Sequence, residues 1–143
     1  MSSFHRVVFD TSTLVSVALR VGSVPHQALT QAIAQGAVYV SIDTFSELEQ
    51  VPLRPKFDRY MPHDVRRAFV DLVRALAVQV PVWAAEVANV VPACRDPKDN
   101  PFLALVLACS AHVLVSSDAE LLVLNPWRGV PIVSPAACLL PNE

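Results

Sequence analysis

The chain has 143 residues, a net charge of −2 at pH 7 and a hydrophobic fraction of 53%. High hydrophobicity with only 17% charged residues excludes intrinsic disorder, and the scarcity of Glu and Lys excludes a coiled coil. A chain of this length forms one domain, residues 1–143, with enough buried surface for its own core.

Short apolar runs alternate with helical patterns along the chain. Strands are predicted at residues 6–9, 37–41, 78–82 and 113–115, and a further extended segment at 131–133. Helices are predicted at residues 12–20, 26–35, 43–51, 62–77, 102–109 and 119–124, and Ser134 is expected to cap a last short helix. We expect Ser12 or Thr13 to cap the first helix, and Asp43 or Thr44 the third. Apolar strands that alternate with helices indicate an α/β fold with a parallel sheet covered on both faces.

The segment 100–117 contains eighteen residues without a formal charge. Its polar residues, which include Asn100 and His112, favour a buried helix followed by a buried strand over a membrane span. The amino terminus lacks the uninterrupted apolar core of a signal peptide, so we expect a soluble, cytoplasmic protein with no membrane partner. The three cysteines (Cys94, Cys109 and Cys138) form no CxxC pair and are expected to be buried thiols.

Four acidic residues occupy informative positions in this pattern. Asp10 and Asp118 each follow a predicted strand, Asp99 precedes the helix before the fourth strand, and Glu47 lies in the helix after the second strand. Because the carboxyl ends of parallel strands share one edge of a sheet, we expect the four carboxylates to lie there together. Like charges raise one another's pKa, and a hard divalent cation relieves that repulsion.

Each of these acids also has a purely structural interpretation. Asp10, Asp99 and Asp118 are all placed to cap the helices that follow them, and Glu47 could lie on a solvated helix face. Asp96, two residues before Lys98, is expected to be a turn residue. The spacing alone leaves both interpretations open.

Other catalytic motifs are missing from the sequence. The four histidines have no carboxylate partner at useful spacing, and no nucleophile elbow, Walker motif or dinucleotide-binding glycine motif is present. A haloacid-dehalogenase-type phosphatase needs a second acid where Ser12 stands. A receiver domain needs a paired acid cluster after the first strand, which is not clearly present.

Four segments, in chain order, resemble the motifs of PIN-domain nucleases. They are VVFDTSTLV at 7–15, FSEL at 45–48 followed by RPKF at 54–57, DPKDNPFL at 96–103 and VSSDAELL at 115–122. The third and fourth motifs together are more specific than the first. The similarity covers nearly the whole chain and is closest to the toxins of bacterial toxin–antitoxin pairs, which are VapC-like.

The resemblance implies a three-layer α/β/α sandwich with a central parallel sheet of four to five strands. It also implies a Mg²⁺- or Mn²⁺-dependent endoribonuclease whose catalytic, metal-binding acids are Asp10, Glu47, Asp99 and Asp118. Ser12 and Ser116 would hold the neighbouring carboxylates in place. Ser117 replaces the glycine that is frequent before the last acid, which puts full activity in question.

The substrate and partners expected from the resemblance are RNA, a cognate antitoxin protein and a second copy of the chain. Six of the eleven basic residues lie within twenty-one positions, between Arg54 and Arg74. Candidates for contacts with the RNA backbone are Arg54, Lys56, Arg59, Arg66 and Arg67, although a solvated helix face would explain the same pattern. The main alternative is a catalytically degenerate PIN module that binds protein or RNA without cutting it.

Overall fold

A computed structural model describes residues 4–139, which fold around a five-stranded parallel sheet. The strands are β1 (Arg6–Phe9), β2 (Ala37–Val40), β3 (Val78–Gln79), β4 (Val113–Val115) and β5 (Ile132–Val133). Their order across the sheet is β3-β2-β1-β4-β5, and every neighbouring pair is parallel. Strands β2 and β3 thus extend the sheet on one side of β1, and β4 and β5 extend it on the other side. The carboxyl ends of β1 and β4 flank the point where the direction reverses.

Eight helices connect and cover the strands within this described range. They are α1 (Thr11–Leu19), α2 (Val24–Gln35), α3 (Ile42–Gln50), α4 (His63–Leu76), α5 (Ala84–Ala88), α6 (Asn100–Ala108), α7 (Ala119–Leu122) and α8 (Pro135–Cys138). Single 3₁₀ turns occur at Val51–Leu53, Pro55–Phe57 and Pro97–Asp99. No helix in residues 4–139 is long and apolar enough to cross a membrane.

The sheet separates two hydrophobic cores. Val7 and Phe9 pack into one core with α1 to α4 and α8, whereas Val8 points to the other face and packs with α5, α6 and α7. This follows from the alternation of side chains along a strand. The buried helix predicted over 102–109 is α6, and the strand after it is β4. The fold is therefore the predicted three-layer α/β/α sandwich.

Most elements differ from their predicted bounds by one or two residues, and α5 was not predicted. Two of the differences have a clear physical cause. Helix α3 begins one residue after Ser41, whose hydroxyl accepts from Thr44 N at 3.2 Å while Ser41 N donates to Thr44 Oγ1 at 2.9 Å. The predicted caps Asp43 and Thr44 therefore lie inside the helix. The third strand is shorter than predicted because its neighbour ends: Val80 N donates to the carbonyl of Val40 at 2.8 Å, but β2 stops at Val40 and the chain turns at Ser41 into α3, which leaves residues 81–82 no strand to pair with.

Candidate active site

Asp10 joins the first strand to the first helix at the reversal point of the sheet. Its backbone N donates to the carbonyl of Val115 at 3.1 Å, which places it beside the end of β4. Its Oδ1 accepts from Thr13 N at 3.0 Å, so Asp10 caps α1, a role that we had predicted for Ser12 or Thr13. The capping interpretation of Asp10 is therefore correct, but it uses only one carboxylate oxygen.

The second oxygen of Asp10 is held by two serine hydroxyls. Ser116 Oγ donates to Oδ2 at 2.6 Å and Ser12 Oγ donates to it at 3.3 Å. These are the contacts that a positioning role for Ser12 and Ser116 requires. Asp10 is only 3% exposed, and its burial raises the pKa more than the hydrogen bonds from Ser116, Thr13 and Ser12 lower it.

Ser116 also connects Asp10 to the acid that follows the fourth strand. The backbone N of Asp118 donates to Ser116 Oγ at 2.9 Å, so one buried hydroxyl contacts both residues. Asp118 is half-buried, and its Oδ1 accepts from Glu120 N at 2.9 Å, which caps α7. The ends of β1 and β4 are thereby connected through side chains as well as through the sheet.

Asp99 lies at the end of the 3₁₀ turn before α6 and is 9% exposed. Burial, a hydrogen bond with Asp118 and the surrounding negative charges together raise the pKa of its carboxyl to about 7. The contributing carboxylates, in decreasing order, are Asp118, Asp96 and Asp10. Among the described residues, no positive charge offsets the burial and the neighbouring carboxylates that raise the pKa of Asp99. The donor set therefore fits a hard divalent cation, which prefers carboxylate oxygens.

The loop before α6 contains contacts that the sequence did not reveal. Cys94 N donates to Asn100 Oδ1 at 2.8 Å, and Cys94 Sγ lies 3.7 Å from Asp99 Oδ2. The sequence predicted a buried thiol, which is correct, but nothing in its spacing indicated contact with an acid. Asp96 is the predicted turn residue, since its Oδ1 accepts from Lys98 N at 3.0 Å.

Glu47 is the one predicted acid whose carboxylate makes no hydrogen bond in the part of the chain that the structure describes. It is half-buried on α3, and in residues 4–139 its carboxylate has no ion pair either. Within the same range, no group of three or more His, Cys, Asp or Glu side chains is close enough to hold a metal ion as placed. The convergence of all four acids stays a prediction.

Ser117 does not occupy a position that needs glycine. Its side chain is exposed, and among the described residues other than glycine a positive φ occurs only at Ser110 and Arg128. The backbone before Asp118 is therefore compatible with a side chain.

Among the basic candidates for RNA contacts, Arg66 must be withdrawn. Its side chain is 0% exposed, and it donates to the carbonyls of Met61 at 2.9 Å, Pro52 at 2.8 Å and Arg54 at 3.1 Å. Its guanidinium also pairs with Asp58. Arg66 thus supplies donors to three carbonyls of the irregular segment between α3 and α4. Its position in a charge-rich stretch had suggested a solvated side chain instead.

The remaining four candidates, Arg54, Lys56, Arg59 and Arg67, are all exposed. Two of them lie against aromatic rings. Lys56 Nζ is 5.1 Å from the ring centroid of Phe57, and the guanidinium of Arg59 is 5.3 Å from that of Tyr60. Positive charge and an exposed aromatic ring thus occur together between residues 54 and 60.

A family model described as PIN domain matches residues 6–120. The chain belongs to the PIN-domain family. PIN domains are generally nucleases, and the matched range contains Asp10, Glu47, Asp99 and Asp118. A search of curated proteins gave no match. Membership of the PIN-domain family therefore indicates nuclease activity in general, and the metal, substrate and biological role of this PIN domain are matters for a proposal.

Proposed function

We propose that this PIN domain is a metal-dependent endoribonuclease that hydrolyses RNA phosphodiester bonds, and that it acts as the toxin of a toxin–antitoxin pair. The observation that carries the proposal is the connection of Asp10 to Asp118 through Ser116, beside an Asp99 whose carboxyl has a pKa near 7. Buried carboxylates at the reversal point of a parallel sheet are costly to a fold, and they are suited to holding a cation.

The residues that would hold Mg²⁺ or Mn²⁺ are Asp10, Glu47, Asp99 and Asp118. A divalent cation bound there lowers the pKa of a coordinated water and stabilises negative charge on the reacting phosphate. Glu47 is included because α3 begins at the same edge of the sheet, directly after β2.

The residues of the chain itself supply position and charge. Ser116 and Ser12 hold Asp10 Oδ2 in one orientation, and Cys94 Sγ contacts Asp99 Oδ2. RNA carries negative charge toward an acidic site, so nearby cations must offset repulsion. Arg54, Lys56, Arg59 and Arg67 are exposed and would contact the phosphate backbone.

The alternative function is a catalytically degenerate PIN module that binds RNA or protein. One observation favours it: the acids in residues 4–139 form no assembled group of three or more that could hold a metal ion. Metal binding distinguishes the two functions, because only the nuclease requires it.

Protein partners are part of the proposal as well. Large apolar side chains are exposed on several elements, among them Val21, Ile42, Trp83, Val91 and Val123. Exposed apolar patches commonly mark surfaces for partners, here an antitoxin and a second copy of the chain. A toxin of this kind would act in the cytoplasm, where its RNA substrate is.

The experiment that tests the proposal is RNA cleavage by purified protein in Mn²⁺, Mg²⁺ or EDTA. We expect cleavage with either metal, none in EDTA, and at least about a hundredfold loss in Asp99→Asn, because catalytic acids usually contribute that much. Asp64→Asn, an exposed aspartate at the start of α4, is the matched control and should cleave like the wild type. Equal cleavage by wild type and Asp99→Asn would reveal a contaminating nuclease and remove the basis of the proposal.

A further inference from the structure

An open cavity of about 440 Å³ lies beside the carboxylates. Its walls come from the loop that precedes the 3₁₀ turn Pro97–Asp99 and from α7 with the residues that follow it. The lining residues are Ala93, Arg95, Ala119, Glu120, Val123 and Leu124.

One wall of this cavity is hydrogen-bonded to Asp118 and is connected to Asp99 through Cys94. Glu120 N donates to Asp118 Oδ1 at 2.9 Å, and the carbonyl of Glu120 accepts from Cys94 Sγ at 3.5 Å. The same thiol lies 3.7 Å from Asp99 Oδ2. The cavity therefore lies on the segments that position Asp99 and Asp118, on the side where RNA would continue from a phosphate held at the acids.

The chemistry of the lining is unusual for a surface depression. Apart from one carboxylate and one guanidinium, the lining residues are alanine, valine and leucine. In the part of the chain that the structure describes, the side chains of Arg95 and Glu120 have no ion pair or hydrogen bond, although both line one cavity. Val123, on the same wall, is 75% exposed. The cavity thus offers apolar walls, a planar cation and an acceptor pair that lacks a partner.

We propose that this cavity is a base-binding subsite for a nucleotide next to the scissile phosphate, and that it selects guanine. The inference rests on the proposed ribonuclease function. Single-stranded RNA is read by stacking splayed bases on apolar or guanidinium surfaces and by hydrogen bonds to their Watson–Crick edges. Arg95 and the aliphatic residues supply the surface, and the carboxylate of Glu120 reads the edge.

Guanine fits a carboxylate better than the other bases do. It presents two adjacent donors, N1–H and the N2 amine, to the two oxygens of Glu120. Adenine and cytosine each present one amine beside an acceptor nitrogen, and uracil presents one N–H between two carbonyls. A second acceptor facing a carboxylate is repelled, so the geometry favours guanine by about tenfold, a typical value for a bidentate contact with a base.

The test uses a random-sequence RNA pool cleaved in Mn²⁺, with the cut ends sequenced. We expect guanine to be enriched about tenfold at one position next to the cut with wild type, and less than about twofold with Glu120→Gln. Glu49→Gln, on α3 at the opposite face of the sheet, is the matched control and should keep the enrichment. Arg95→Ala should raise the KM for all sequences while the preference for guanine persists, because stacking does not depend on the base edge.

A second measurement does not depend on any variant folding. Replacing the guanosine at the selected position by inosine removes the N2 amine and should slow cleavage by wild type about fivefold or more. Unchanged cleavage of the inosine RNA, or equal guanine enrichment in wild type and Glu120→Gln, would overturn the base subsite while the nuclease function stands. Failure of the wild type to cleave any sequence would instead overturn the proposed function and the subsite with it.

Discussion

Replacing Asp99 by asparagine should stabilise the protein when no metal is present. Most substitutions of buried residues destabilise a fold, so this expectation has an unusual sign. It follows from the pKa of the Asp99 carboxyl, which the fold raises from 3.8 to about 7 through burial and the neighbouring Asp118, Asp96 and Asp10. The folded state therefore holds the proton more tightly than the unfolded state, and stability falls as pH rises from about 4 to 7.

The size of the effect can be worked out from the shift. Each pKa unit corresponds to about 1.4 kcal/mol, so a shift from 3.8 to about 7 sets an upper limit of about 4 kcal/mol. The carboxylates lie at the edge of the sheet and solvent screens part of their repulsion, so we expect about 1–2 kcal/mol. For a domain of this length, that raises the Tm of Asp99→Asn by about 3–8 °C at pH 8.

The assay is thermal unfolding in EDTA at pH 8 and pH 5, with Asp64→Asn as the control for loss of an exposed charge. The stabilisation should shrink at pH 5, because the wild-type carboxyl is then largely protonated. Added Mn²⁺ should reverse the order at pH 8 by stabilising the wild type through binding. A lower Tm for Asp99→Asn at pH 8 in EDTA, or a difference that does not change with pH, would refute the reasoning.

Three further predictions concern other residues. Ser116→Ala should lower the free energy of unfolding in urea by about 1–2 kcal/mol and reduce RNA cleavage at least about tenfold, because the hydroxyl contacts both Asp10 and Asp118. Ser116→Thr, which keeps the hydroxyl, should restore both. Arg66→Met should lower the free energy of unfolding by about 3 kcal/mol in the same assay, because buried carbonyls lose their donors. His112 Nδ1 accepts hydrogen bonds from two backbone N–H groups, and burial lowers the pKa of His112 below 6.5. The free energy of unfolding in urea should therefore fall as pH decreases below 6.5, and it should fall less in His112→Asn.

The layers of the fold were predictable because burial leaves a direct trace in the sequence. Val7, Val8 and Phe9 are all apolar, as a strand covered on both faces must be, and their alternation then assigns each to one of the two cores. The order of the strands was not predictable, because parallel strands leave no turn chemistry that specifies their neighbours. The third strand was predicted too long because residues 80–82 are apolar, whereas the length of a strand also depends on its neighbour, and β2 ends at Val40.

The site was predictable only as a set of positions. Asp10 and Asp118 follow apolar strands, and parallel topology brings those strand ends together. Side-chain orientation is not encoded locally, so the burial of Arg66 and the contact of Cys94 with Asp99 could not be foreseen. Both depend on carbonyls and carboxylates that come from elsewhere in the fold. The position of Glu47 relative to the other acids is the part of the prediction that most needs a measurement.

That measurement is direct binding of Mn²⁺ at pH 7.5. The free ion is quantified by electron paramagnetic resonance as protein is added. The variants are Asp10→Asn, Glu47→Gln, Asp99→Asn and Asp118→Asn, with Asp64→Asn as the control. We predict one or two ions bound by wild type and control, and affinity at least about tenfold weaker in each of the four variants, as loss of a ligand charge requires. No binding by the wild type would contradict a metal centre built by these acids. The same conclusion would follow if the four acid variants bound Mn²⁺ as tightly as the wild type and the control.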